Sequence, residues 1–164
     1  SEKILCAKYR PGHFEGVLNV MDRLLALIRS KHIFMGEKDF QQYYLIKKIL
    51  GKKYKVNIIG HPIIRDKNKV ALSTRNKLLN KKSIYITSCI AKRLINLKKN
   101  FKIKKLKKPN NLLKIKSDFE KKYKVKVDYL EFRDEKNLKL NNFKSKYRLF
   151  IAYYINNIRL IDNF

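Results

Sequence analysis

Tryptophan is absent from this chain, and acids are few: 13 Asp and Glu stand against 41 Lys and Arg. Cysteine is nearly absent as well. Cys6 and Cys89 form no metal-ligand spacing, and His13, His32 and His61 do not cluster with them, which argues against a zinc site. Two such cysteines read as free thiols of a cytoplasmic protein. No stretch approaches the roughly 20 apolar residues of a membrane span, and no signal peptide is visible. The chain opens on Ser1 where Met is usual, so a processed start, or a piece of something longer, is expected.

What is abundant is positive charge. The net value of +28 suggests nucleic acid or another polyanion. Its distribution argues otherwise, because residues 1–80 carry 17 basic against 6 acidic residues and residues 81–164 carry 24 against 7. Frequent Lys, Asn and Ile without Trp match the coding bias of an AT-rich genome, which needs no partner. A basic nucleic-acid-binding protein therefore stands as the alternative reading, supported by Tyr43, Tyr44 and Phe101 beside basic residues. Only non-specific nucleic-acid binding is expected.

The 164 residues, 45% of them hydrophobic, suffice for one domain or two small ones. In GVLNVMDRLLALIR (16–29), Val17, Val20, Met21, Leu24, Leu25 and Ile28 fall at helical spacing, which predicts one buried face. HIFMG (32–36) reads as a short buried strand. From Asp39, an N-cap or first-turn acid, the pattern turns helical through Tyr43, Tyr44 and Ile46–Leu50, with Gly51 as the helix C-terminal glycine. VNIIG (56–60) is the next strand, completing a βαβ unit with parallel strands. HPIIRDKNKVALSTRNKLL reads as a loop that presents side chains. Beyond it come a helix at 81–98, the basic stretch KKNFKIKKLKKPNN, a helix near 111–123, and strands in KVKVDYLEFRD and YRLFIAYYI. Asn156-Asn157 predicts a tight turn into a last strand, IRLI. The predicted domains are 1–78, a parallel α/β unit, and 79–164, a small α+β unit.

Two segments carry chemistry. GEKDFQQ (36–42) stands between a strand and a helix, where open parallel sheets place ligands. Gly36 lets a ring or phosphate approach the backbone, and the helix N-terminus favours an anion. Lys38 can neutralise phosphate oxygens, Asp39 can accept from ribose hydroxyls, and the Gln42 amide can hold a polar substrate. The plainer reading makes Asp39 a cap and leaves Lys38 and Gln42 solvated. No Walker A loop is present, since both the glycine spacing and the Lys-Ser/Thr pair are missing. In ALSTRN (71–76), Ser73 and Thr74 donate and Arg75 can grip phosphate bidentately. Here the plainer reading is a helix N-cap followed by a surface arginine.

Together with their surroundings these segments resemble a known family. YRPGHFEGVLNV, FMGEKDFQQ, IIGHPIIRDKNKVALSTRN and the closing RLIDN, in this order and at these separations, resemble the pantothenate synthetases, the pantoate–β-alanine ligases of coenzyme A biosynthesis. The likeness runs from about Tyr9 to the end, densest over 9–79 and weak through 80–125. It implies the second half of a Rossmann-like nucleotidyltransferase domain followed by a small α+β C-terminal domain. It also implies an ATP-dependent ligase that activates pantoate as an adenylate and then transfers it to β-alanine, releasing pyrophosphate and AMP.

Matched position by position, Gly36, Glu37, Lys38 and Asp39 look like an ATP-binding segment and Gln42 like a pantoate ligand. Ile64 is similar to the position whose backbone meets adenine. Leu72, Ser73, Thr74 and Arg75 match the mobile loop that closes over the phosphates. Lys38, Ser73, Thr74 and Arg75 are thereby the expected catalytic groups, with Mg²⁺ arriving with ATP, no dedicated metal ligands, and a homodimer for the complete enzyme.

The chain departs from the family pattern in three places. Thr74 replaces a second serine. Asn68-Lys69-Val70-Ala71 stands where Asp-Gly-Leu-Ala is usual, which removes a loop glycine. The family's His-x-Gly-His motif is missing; RPGH (10–13) and IIGH (58–61) each lack its first histidine. The reading is therefore a C-terminal portion of the ligase, inactive by itself, with a non-catalytic relic of the fold as a further alternative.

Overall fold

The computed structural model describes residues 3–100, 110–140 and 146–164. The part of the basic stretch that contains Phe101 and Lys104–Lys108 lies outside the described residues. By internal contacts the chain forms two compact units, Ser1–Ile63 and Ile64–Phe164.

The first unit holds helices α1 (Cys6–Tyr9), α2 (His13–Leu27) and α3 (Phe40–Lys53), and strands β1 (His32–Gly36) and β2 (Asn57–His61). β1 and β2 pair in parallel, with Ile33 opposite Ile58 and Gly36 opposite His61. A parallel pair needs a crossover, and α3 supplies it. Its core joins Leu25 of α2, Ile46 and Leu50 of α3, and Val56 and Ile58, with Ile33 and Met35 packed against them.

The burial of α2 is narrower than its periodicity predicts. Phe14 and Leu25 are buried, and Val17 and Met21 pack against the core. Val20, Leu24 and Ile28, expected on the buried face, are 59%, 44% and 60% exposed. Helical spacing creates two apolar stripes here, and only one meets α3 and the sheet. β1 likewise is not a buried strand. It alternates, with Ile33 and Met35 turned to the core and Phe34 exposed, because the described helices of this unit cover one face of the pair.

Gly51 is not the helix cap. It lies inside α3, where a Cβ would touch Ile58 Cγ1 and the Val56 carbonyl, each at 3.4 Å. The reversal comes later. Val56 N–H donates to the Gly51 carbonyl, six residues being closed into one turn, and Lys55 takes φ +50°. This is the Schellman arrangement, with lysine at the left-handed position that glycine usually fills.

The second unit is a three-stranded antiparallel sheet, β3 (Lys126–Asp134), β4 (Tyr147–Ile155) and β5 (Ile158–Asn163), in the order β3-β4-β5. Helices α4 (Lys81–Lys99) and α5 (Asn110–Tyr123) contribute Ile90, Leu94 and Phe119 to its core, against Val127, Leu149 and Ile151. Asn80 caps α4, its Oδ1 accepting from Ser83 N–H at 2.8 Å. Asn156 and Asn157 take φ +47° and +62° between the paired Ile155 and Ile158, a type I′ turn. The Asn156 amide donates to Ser83 Oγ, which ties the turn to α4.

Residues 64–78 pack with this second unit, whereas the sequence reading groups them with the first. The reason is polar. Arg65 pairs with Asp162 of β5 at 2.8 Å, Ser88 Oγ of α4 donates to the Asn68 carbonyl, and Arg75 donates to the Arg159 carbonyl. Such attachments carry no apolar period, so the pattern of hydrophobic residues does not reveal them.

At the end of α4, Lys98 lies over the Tyr147 ring, 3.7 Å from its centroid, and donates to the Tyr147 carbonyl. Half-burial pulls its ammonium down to about 8; Glu135 opposes this and Arg148 adds to it. Below about 8 both folded and unfolded chains hold the proton, and the cost of burying the charge is complete. Above it the folded chain releases the proton first, so stability rises with pH up to the ordinary lysine value of 10.5. Denaturant titrations between these values should show that rise in the unaltered chain, and a flatter profile in Lys98→Met. Lys55→Gly should raise stability by about 0.5–1 kcal/mol by relieving the left-handed lysine. A loss on that substitution would place the strain elsewhere.

Candidate functional site

The first candidate segment sits at the carboxyl end of the parallel pair. The register brings Gly36, the last residue of β1, beside His61, the last of β2. One turn of 3-10 helix, Glu37–Asp39, then leads into α3. Gly36 has an ordinary φ of −69°, and a Cβ there would meet nothing within 4 Å. The described fold does not require glycine at that position.

Gly60 differs. A Cβ on it would lie 2.8 Å from Glu37 Oε1 and 3.1 Å from Tyr43 Cζ. Glu37 therefore leans across β2, and the missing side chain of Gly60 lets it do so. This pairing has no signature in spacing, and the sequence reading does not single out Gly60.

Asp39 occupies the N-cap position of α3, yet its side chain makes no capping hydrogen bond. That removes the capping role from the plainer reading. Lys38 Nζ stands 3.8 Å from Asp39 Oδ2, with the lysine side chain 22% exposed and the aspartate 52%. The stem of Lys38 is thus mostly covered, and its charge is carried at the start of a helix, where an anion is favoured. The two glutamines divide. Gln41 is buried and structural: its Oε1 accepts from Cys6 N–H at 3.0 Å and its Nε2 donates to the Ile4 carbonyl at 2.9 Å. Gln42 is half-buried one place further along α3.

The second candidate segment belongs to the other unit. Ile64 and Leu72 are 72% and 53% exposed, and Leu72 N–H donates to the Ile64 carbonyl. Arg65 and Ala71 form a bridge between them. The turn is built by Asp66, whose Oδ1 accepts from the N–H groups of Asn68 and Val70, both at 2.9 Å. Lys69 takes φ +69°. Where the family pattern has glycine, this chain keeps the left-handed backbone with a lysine, so the departure strains the turn without removing it.

Beyond the turn, Ser73 caps the 3-10 helix Thr74–Leu78, its Oγ accepting from Arg75 N–H at 3.3 Å. Arg75 Nη1 donates to the Arg159 carbonyl at 3.1 Å. In this geometry Ser73 does act as a cap, Thr74 is exposed, and Arg75 rests on β5. Its guanidinium retains further donors for a phosphate. Arg65, which the sequence reading passes over, makes four side-chain hydrogen bonds, more than the other side chains described in the segment. Its partner Asp162 lies in the closing RLIDN, the one signal that could have found it.

Among the described residues no group of three or more His, Cys, Asp or Glu could hold a metal ion, and no helix is long and apolar enough to cross a membrane. The strongly shifted titratable groups belong to neither segment. They are Lys98 and Tyr153, the latter pushed up by burial.

Known proteins resemble the chain in both sequence and fold. A family model described as Pantoate-beta-alanine ligase matches residues 1–164. The pantothenate synthetase of Flavobacterium psychrophilum is 37% identical over 161 residues, covering 95% of this chain and 56% of its own length. That of Sulfurihydrogenibium sp. is 33% identical, covering 98% and 59%. A crystal structure of the Francisella tularensis pantoate–β-alanine ligase, complexed with β-γ ATP and β-alanine, superposes with a TM-score of 0.76 at 35% identity, covering 99% of this chain and 54% of that one. The Thermus thermophilus pantothenate synthetase shares the fold, with a TM-score of 0.79 at 24% identity, covering 99% and 59%. The chain thus spans little more than half the length of the relatives it matches, and it belongs to the pantoate–β-alanine ligase family.

Proposed function

We propose that this chain carries part of the machinery of an ATP-dependent ligase that joins pantoate to β-alanine. The observation that carries the reading is the family match over residues 1–164, together with the ATP and β-alanine of the Francisella relative. In the proposed reaction a carboxylate oxygen of pantoate attacks the α-phosphorus of ATP and pyrophosphate leaves. The amine of β-alanine then attacks the acyl carbon of the pantoyl adenylate. An amide bond forms, AMP leaves, and the ammonium proton is lost to solvent.

Negative charge grows on the phosphate oxygens in the first step, and fixed cations and donors stabilise it. In this reading Gly36–Asp39 bind ATP and Lys38 neutralises the growing charge. Ile64 meets adenine, and Leu72–Arg75 bring Ser73, Thr74 and Arg75 to the phosphates. Arg75 leaves the Arg159 carbonyl to do so. Gln42 orients pantoate. Mg²⁺ belongs to the nucleotide substrate, MgATP. The complete enzyme is proposed to be a cytoplasmic homodimer.

The chain alone should make no pantothenate, because it covers 56% of the Flavobacterium relative and contains no His-x-Gly-His. The purified chain with ATP, pantoate, β-alanine and Mg²⁺ should yield neither AMP nor pantothenate, and a second polypeptide bearing that motif should restore both. Turnover without it would show that the catalytic groups are misassigned. In the active assembly, Lys38→Ala should lower kcat by about 10²–10³, since its charge matters most in the transition state. Gln42→Ala should chiefly raise the KM for pantoate. Small, equal effects of both would leave Gly36–Gln42 as a turn and a solvated face. Finally, the +28 charge should give weak DNA or RNA binding that fades as salt rises. Tight binding to one sequence at physiological salt would favour the nucleic-acid reading.

A further inference from the structure

Arg65 is bonded far more heavily than a loop residue needs for its own sake. Its Nη1 donates to Asp162 Oδ2 at 2.8 Å and to the Lys69 carbonyl at 2.9 Å. Its Nη2 donates to Asp162 Oδ1 at 2.8 Å and to the Asn163 carbonyl at 2.9 Å. The guanidinium also stacks on the Phe164 ring, 4.4 Å from its centroid. Both members of the ion pair are mostly covered, Arg65 being 17% and Asp162 12% exposed. A bidentate fork fixes direction as well as distance, which a lysine cannot do.

The two ends of the segment are attached to β5 very unequally. At one end stands this grip, three of whose four acceptors are on β5, and from it spring the Arg65–Ala71 bridge and the Asp66 turn. At the other end Arg75 holds the Arg159 carbonyl by one exposed bond of 3.1 Å. The turn between them is braced from α4, where Ser88 Oγ, on a buried residue, donates to the Asn68 carbonyl. A segment built this way moves at its weak end and keeps its strong end. Ser73, Thr74 and Arg75 lie at the weak end.

We propose that Arg65 is a positioning residue for nucleotide binding: clamped by Asp162 and the Asn163 and Lys69 carbonyls, it anchors the 64–72 hairpin to β5 so that Leu72–Arg75 can swing from a fixed base. This rests on the ligase reading, which assigns those four residues to ATP. Arg65 itself touches no substrate in this account. Its contribution is to make the excursion of Arg75 reproducible, because a base free to drift would spread the guanidinium over many positions, few of them productive.

The test uses the isotope-labelled 164-residue chain, with ATP added as the probe, and compares it with Asp162→Asn and Arg65→Lys. Asp162→Asn keeps the shape of the carboxylate without its charge, and Arg65→Lys keeps the charge without the fork. In both variants the Val70 and Leu72 amides should exchange with solvent at least about tenfold faster, while β3 and β4 amides stay within about twofold of the original. ATP should shift amide resonances at 36–42 and 72–76 of the unaltered chain. In the variants the shifts at 36–42 should persist and those at 72–76 should be lost.

Exchange and shifts at 72–76 that match the unaltered chain in either variant would overturn the inference and leave the ATP reading standing. Faster exchange of β3 and β4 in both variants would reduce the clamp to general stability, and would also overturn it. Silence of the unaltered chain toward ATP at both segments, with the polypeptide bearing His-x-Gly-His also present, would overturn the ligase reading, and this inference with it.

Discussion

A parallel pairing of two five-residue strands sets what the first unit can do. Because β1 and β2 run the same way, both end at one edge, and Gly36, Gly60 and His61 gather there. Antiparallel strands would have scattered them. The crossover that parallel strands demand then begins beside that edge, so the N-terminus of α3 and Lys38 are delivered by the same constraint. The packing of Ile46, Leu50 and Ile58 behind the pair keeps the register, since a slip of one residue would turn Ile58 away from the core. The local chemistry follows from that register: Glu37 leans over Gly60, and Gly36 is left open.

The charge of the chain separates into two populations. Of its basic residues, 32 are lysines and 9 are arginines. The well-covered ion pairs described in the second unit use arginine: Arg65 with Asp162, Arg133 with Glu131, Arg148 with Glu135 and Arg159 with Asp128. Lysines appear in the more exposed pair Lys53–Asp22, or over tyrosine rings as Lys47 and Lys48 do. A planar fork repays burial where a compact ammonium does not. Lys47, Lys48 and Lys53 therefore sit where composition can drift at little cost. The few arginines trace the bonds that hold β3, β5 and the 64–78 segment.

The elements were largely legible in the sequence. The periods of the apolar residues marked α2, α3, α4 and all five strands to within a few residues, and Asn156-Asn157 announced its turn. Burial was less legible. Val20, Leu24 and Ile28 obey the helical period and are nonetheless exposed, because a period shows which residues share a face and says nothing of what covers that face. The left-handed positions were also hidden. Lys55 and Lys69 take conformations that glycine would have advertised, and Gly51, which did advertise, sits within the last helical turn, ahead of the reversal. At the candidate site, Gly36–Asp39 and Ser73–Arg75 could be nominated from residue types in order. Arg65 could not, since its partner lies 97 residues away and only the fold joins them.

With 32 lysines on one chain, an anionic nucleotide can be attracted anywhere, and the central claim is that two short segments receive it. The most direct measurement is photo-crosslinking with an ATP analogue whose reactive group is on the terminal phosphate, followed by peptide mapping. The account predicts adducts concentrated on Gly36–Gln42 and Leu72–Asn76 and competed away by unlabelled ATP. Adducts spread over the lysines in proportion to their exposure, and indifferent to competition, would contradict it.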